Sequence, residues 1–98
     1  MGIIKGIRLG DIEKCLKETV ELSFQMKMIQ EEYEDVLNQI KANKKSLSSG
    51  RIPRDVFGNN YKVLEKEKKR LTLKINTVAE KMKAVNDRTT KIVKENRI

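Results

Sequence analysis

Two series of apolar residues, each spaced alternately three and four apart, constrain this chain more than any other feature. The first is Ile12, Cys15, Thr19, Leu22, Met26, Ile29, Tyr33, Val36, Ile40, Asn43 and Leu47. The second is Phe57, Tyr61, Leu64, Lys68, Leu71, Ile75, Val78, Met82, Val85, Thr89 and Ile92. This is the spacing of an apolar stripe on a helix that packs against another helix. Each series has eleven positions, and 18 of the 22 are apolar in a chain that is only 38% hydrophobic. A disordered chain has no reason to hold that phase, although the charged fraction of 37% and the absence of Trp would otherwise suit one. Five Gly and one Pro are too few turn residues for a β-sandwich or a Rossmann-type domain.

Breakers cluster once, in Ser46-Leu-Ser-Ser-Gly-Arg-Ile-Pro53. Gly50 can adopt positive φ, and Pro53 suits the start of a helix while forbidding its interior. Asp11, after Gly10, reads as an N-cap. The predicted organisation is an apolar and basic N-terminal segment over 1–10 and a helical hairpin over 11–98. Within the hairpin, a helix covers 11–46, a turn 47–52 and a second helix 53–96. Gly58-Asn59-Asn60 lowers helix propensity enough to predict a bend or restart there.

A turn this short makes the helices antiparallel. Pairing seam positions whose numbers sum to 104 sets Ile40 against Leu64, Ile29 against Ile75 and Leu22 against Met82. It also sets Asn43 against Tyr61 and Cys15 against Thr89, and lets Lys68 extend past Val36. On the flanks, pairs summing to 106 give Glu18–Arg88 and Glu32–Lys74, opposite in sign, with the neutral or mixed Gln25–Lys81 and Gln39–Glu67 between them. The fold class is therefore all-α: a long antiparallel two-helix coiled coil, completed to a bundle by self-association.

The reason to expect self-association is a second apolar row on helix one. Leu16, Val20, Phe24 and Met28 follow one another at intervals of four and lie off the seam. Either Ile3, Ile4, Ile7 and Leu9 fold back over this row, or a second subunit or another helical protein docks on it. A homodimer or higher homo-oligomer is the leading expectation.

The chain has 22 Lys+Arg against 14 Asp+Glu, a net charge of +8. Residues 11–47 carry eight acids and six bases, and residues 54–98 six acids and thirteen bases. Helix two therefore presents a basic face, with Lys62, Lys66, Lys69, Arg70 and Lys83 as candidate phosphate contacts, extended by Lys91, Lys94 and Arg97. Such a face is ordinarily just solvated. Its alternative use is gripping nucleic acid without sequence specificity, since no aromatic residue stands there to stack on bases. A membrane contact through residues 1–10 ranks last among the partners, because one short segment binds weakly.

No chemistry is legible. Histidine is absent, so His-based acid–base catalysis and His metal ligation are excluded. Glu31, Glu32, Glu34 and Asp35 read as a solvated face, without the Glu-x-x-His pattern of di-iron bundles. Cys15 reads as a packed thiol, and a single cysteine suits a reducing, cytoplasmic setting. The expectation is a non-enzymatic protein with no metal and no cofactor.

The segment Gly50-Arg-Ile-Pro-Arg-Asp-Val-Phe57, followed by Tyr61 and Leu64, resembles a turn that recurs in archaeal coiled-coil hairpin proteins. There a Gly-x-Ile segment starts the returning helix and an aromatic pair opens its seam. The likeness covers about fifteen of the 98 residues, and it departs at Gly58-Asn59-Asn60 from the charged helix formers usual there. It implies the hairpin, and some proteins with such hairpins are scaffolds for cell division or membrane remodelling.

Overall fold

The computed structural model describes the backbone of residues 2–95 and the side chains of residues 9–95. It is an all-α hairpin of two long helices, α1 over Gly2–Ser48 and α2 over Arg54–Glu95. This is the fold that the two seams, and the likeness of the turn, imply.

The reversal depends on backbone geometry at one residue. Gly50 has φ of 74°, the left-handed region that costs an L side chain about 1–2 kcal/mol. The Arg51 N–H reaches back to the Ser46 carbonyl at 2.9 Å, and the Gly50 N–H to the Leu47 carbonyl at 3.1 Å. That pair of bonds is a Schellman cap: it satisfies carbonyls that the end of α1 would otherwise leave open. On the other side of the turn the Pro53 carbonyl accepts the Phe57 N–H at 3.0 Å. Pro53 therefore stands just before α2, where its missing N–H costs nothing.

Three expectations about boundaries are corrected. Helix α1 begins at Gly2 and runs through Gly10 and Asp11, so residues 2–10 are its first turns and Asp11 does not open it. A glycine inside a helix costs only about 1 kcal/mol, too little to stop one. It follows that this segment cannot fold back over the Leu16 row, because it continues the same helix away from it. The side chains of Ile3, Ile4 and Ile7, and the predicted helix end at 96, lie outside the described residues. The far end of α1 is Ser48 rather than position 46. Finally, α2 runs unbroken through Gly58-Asn59-Asn60.

The chain divides into two compact units, each containing a stretch of both helices: residues 28–76, which include the turn, and residues 1–27 with 77–98. In the turn unit Val36, Ile40 and Leu71 are buried, with Ile29, Tyr33 and Leu64 packed on them. In the other unit Cys15, Leu22, Val78 and Val85 are buried. These seven and Asn43 are all the buried residues among those described, and every one lies on a seam.

The polar seam positions are accommodated individually. Thr19 and Thr89 donate their hydroxyls to the carbonyls of Cys15 and Val85, each at 2.8 Å. Lys68 is half-buried. Asn43 was expected to face Tyr61, but its Nδ2 donates to the Phe57 carbonyl at 3.2 Å and its Oδ1 accepts from Asn60 Nδ2 at 3.2 Å. Tyr61 instead leans on Phe57, ring centroids 6.0 Å apart.

Glycines at two positions should respond oppositely to the same substitution. A Cβ at Gly50 or Gly58 would meet nothing within 4 Å, so only backbone preference distinguishes them. Gly50→Ala should destabilise by about 1–2 kcal/mol through its positive φ. Gly58→Ala, inside α2, should stabilise by about 0.5–1 kcal/mol. Urea midpoints followed by helical circular dichroism would show the two shifts, and equal signs would contradict this account of the turn.

Candidate interaction surface

The apolar row of α1 is exposed to solvent in the single chain. Leu16, Val20, Phe24 and Met28 are 55%, 68%, 66% and 53% exposed, against 9% or less for the buried seam residues. The row starts from the seam residue Ile12. At 100° per residue each step of four turns it about 40° further around the helix, so it crosses the outer side. Leu9, seven residues before Leu16, is also exposed. Glu13, Lys17 and Glu21 flank Leu16 and Val20 around a surface hollow of about 650 Å³. Acid and base alternate along its edge.

The candidate phosphate contacts divide. Lys62, Lys66 and Lys69 are exposed, three and four residues apart on one side of α2 in the turn unit. Lys83 is exposed in the other unit. Arg97 lies outside the described residues. Arg70 has a different position from the one expected of a phosphate ligand. Its Nε donates to Glu67 at 3.0 Å, its Nη2 bonds the other Glu67 oxygen, and Glu32 lies 3.8 Å from the same nitrogen. Arg70 thus ties the helices together. It also replaces the expected partner of Glu32, which was Lys74: Glu67, one turn before Arg70, holds the guanidinium on the side facing α1.

Of the other flank pairs, Glu18–Arg88 forms in the expected register. Arg88 donates to Glu18 at 2.6 Å. Gln25 and Lys81 line one groove with Glu18, Leu22, Val85 and Arg88. Fork-to-carboxylate hydrogen bonding with Arg70 holds Glu67 below its ordinary carboxylate value of 4.5, and the same bond raises Arg70.

Glu31, Glu34 and Asp35 are exposed, and Cys15 is a buried free thiol. Among the described residues, no group of His, Cys, Asp or Glu is placed to hold a metal ion, and no helix is long and apolar enough to cross a membrane. Three residues were missed by reading the sequence. Asn60 stood in what looked like a soft spot and is the amide partner of Asn43. Val63 and Leu73, the most exposed of the apolar residues of α2, escape notice because they interrupt a polar face singly.

Compared with protein-family models, curated proteins and solved structures, the chain matches none.

The Arg70–Glu67 contact carries a testable sign. A carboxylate depressed in the folded state adds stability above its unfolded value, and that contribution fades as pH falls through the folded value. Following the Glu67 carboxyl carbon by NMR through an acid titration should give a midpoint below 4.5. Arg70→Gln should move the midpoint upward. An unchanged midpoint in the variant would show that Arg70 does not hold Glu67.

Proposed function

We propose that this chain is a non-enzymatic structural or protein-interaction module that self-associates through the outer face of α1 and works in a reducing, cytoplasmic setting. The observation that carries the reading is the exposed row itself. Every buried residue described lies on the seams, so packing within the hairpin makes no use of Leu16, Val20, Phe24 and Met28. Fully burying one such side chain contributes about 1.5–3 kcal/mol. A second copy of the chain is the partner always at hand, which makes a homo-oligomer the simplest way to cover them. Another helical protein with a matching stripe would satisfy the same chemistry. The buried, unbridged thiol of Cys15 supports the compartment.

A second reading rests on the separate cluster Lys62, Lys66 and Lys69, with Lys83 further along α2. This face would bind nucleic acid through phosphates alone, and Arg70, already bonded to Glu67, contributes less than its charge suggests.

The two readings separate by mutation. Val20→Glu combined with Phe24→Glu should reduce the mass measured by light scattering to that of one chain, with helical content retained. Lys62→Glu combined with Lys83→Glu should instead weaken any shift of an arbitrary DNA duplex at about 50 mM salt. If the wild-type chain already scatters as a single chain at every concentration, self-association is wrong. If it shifts no duplex, the second reading falls.

A further inference from the structure

We infer that the surface receiving the outer face of α1 is the outer face of α2 on a second copy, so that copies join side by side in an open row instead of closing as a two-fold pair. This rests on the self-association proposed above and names the contact for the stretch of that face in the turn unit, where Met28 is the residue of the row.

The argument uses the turn unit alone. Around its Val36, Ile40 and Leu71 core, the two helices carry oppositely charged turns on their outer sides, while Lys41, Lys44 and Lys45 lie nearer the reversal on α1. On α1, Glu31 and Glu34 are exposed within one helical turn, with Asp35 beside them. On α2, Lys62, Lys66 and Lys69 are exposed on the side away from Leu71. The helices run antiparallel, so the acidic turn and the basic turns stand at similar heights on opposite sides of one small body. Each face also carries an exposed apolar residue, Met28 on α1 and Leu73 on α2.

Placing one copy beside another in the same orientation sets α1 against the neighbour's α2, again antiparallel. One alignment then brings Glu31 beside Lys69, Glu34 beside Lys66 and Met28 beside Leu73. A two-fold contact of α1 with α1 centred on the Glu31–Asp35 turn would oppose carboxylate to carboxylate, and one of α2 with α2 centred on Lys66 would oppose lysine to lysine. Like charges brought together reject those pairings. A contact between two different faces leaves one of each free at the ends, so it propagates. Exposed ion pairs are individually weak and screened by salt, which makes the association salt-dependent.

The test is charge reversal and exchange, with mass read by sedimentation velocity and fold by circular dichroism. At about 50 mM salt the average mass of the wild-type chain should keep rising with concentration. It should fall at about 1 M salt, where the screening length is roughly 3 Å. Glu31→Lys with Glu34→Lys, or Lys66→Glu with Lys69→Glu, should each stop the growth. An equimolar mixture of the two variants should restore it, since the basic α1 of one meets the acidic α2 of the other. All four substitutions in one chain should restore it as well. If wild-type mass levels off at two chains and neither reversal alters it, self-association stands and the side-by-side contact is overturned. If the mass is that of one chain throughout, both fail. If reversal stops growth but neither the mixture nor the four-fold exchange restores it, the charge pairing is wrong.

Discussion

An apolar seam on a single helix is half in water unless a second seam covers it, and here both seams belong to one chain. That requirement makes the reversal at Gly50 the point on which the rest depends. The left-handed φ at this residue lets two N–H groups turn back onto the last carbonyls of α1. The helix therefore ends without leaving polar backbone unsatisfied, and the chain is redirected within a few residues. Pro53 then prevents α1 from simply continuing into α2. Sequence supplies the direction change and periodicity supplies the reason for it; neither alone would give a hairpin.

Closing the seams raises a second question, which is why they settle in one register. Apolar side chains on long helices slide at little cost, since one leucine replaces another. Polar groups do not. Asn43 is buried and uses both ends of its amide across the hairpin, to the Phe57 carbonyl and to Asn60. Shifting α2 by one turn would strand a buried amide, a loss of about 1–3 kcal/mol. Glu18 with Arg88, and Arg70 with Glu32, add charged markers, one in each unit. Thr19 and Thr89 place no such demand, because each hydroxyl is satisfied by its own helix. Among the described residues no buried side-chain polar atom lacks a partner. The few polar seam positions thus divide into those that fix alignment and those that merely tolerate burial.

The same division explains what could be read from the sequence. The seams, the turn and the Glu18–Arg88 pair were legible because each follows from spacing along a regular helix. The start of α1 was misread: a glycine before an aspartate looks like a boundary, yet the energetic signal is about 1 kcal/mol against a helix already propagating. The restart predicted at Gly58-Asn59-Asn60 failed for a related reason, since Asn60 is used in a contact that propensity does not register. The partner of Glu32 was missed because arginine and lysine side chains reach several residues, and the choice between Lys74 and Arg70 was made by Glu67. The exposed α1 row was visible as a pattern. What meets it was not, because periodicity describes a face and says nothing of its complement.

A two-helix hairpin has one interior line and two outer faces, so most of its surface can carry something other than folding. With the buried residues confined to the seams, substitutions on the outer faces leave the hairpin's own packing nearly untouched, and those faces are open to encode contacts. In the turn unit they are unlike each other, one acidic beside Met28 and one basic beside Leu73. If the task were to remain a lone monomer, mixed charge on both faces would do it with less exposed apolar surface. Unlike faces discriminate: each repels its own kind and accepts the other. On the proposal that copies meet through these sides, what counts is how the two sides differ, and the seam between them serves to hold that difference in a fixed geometry.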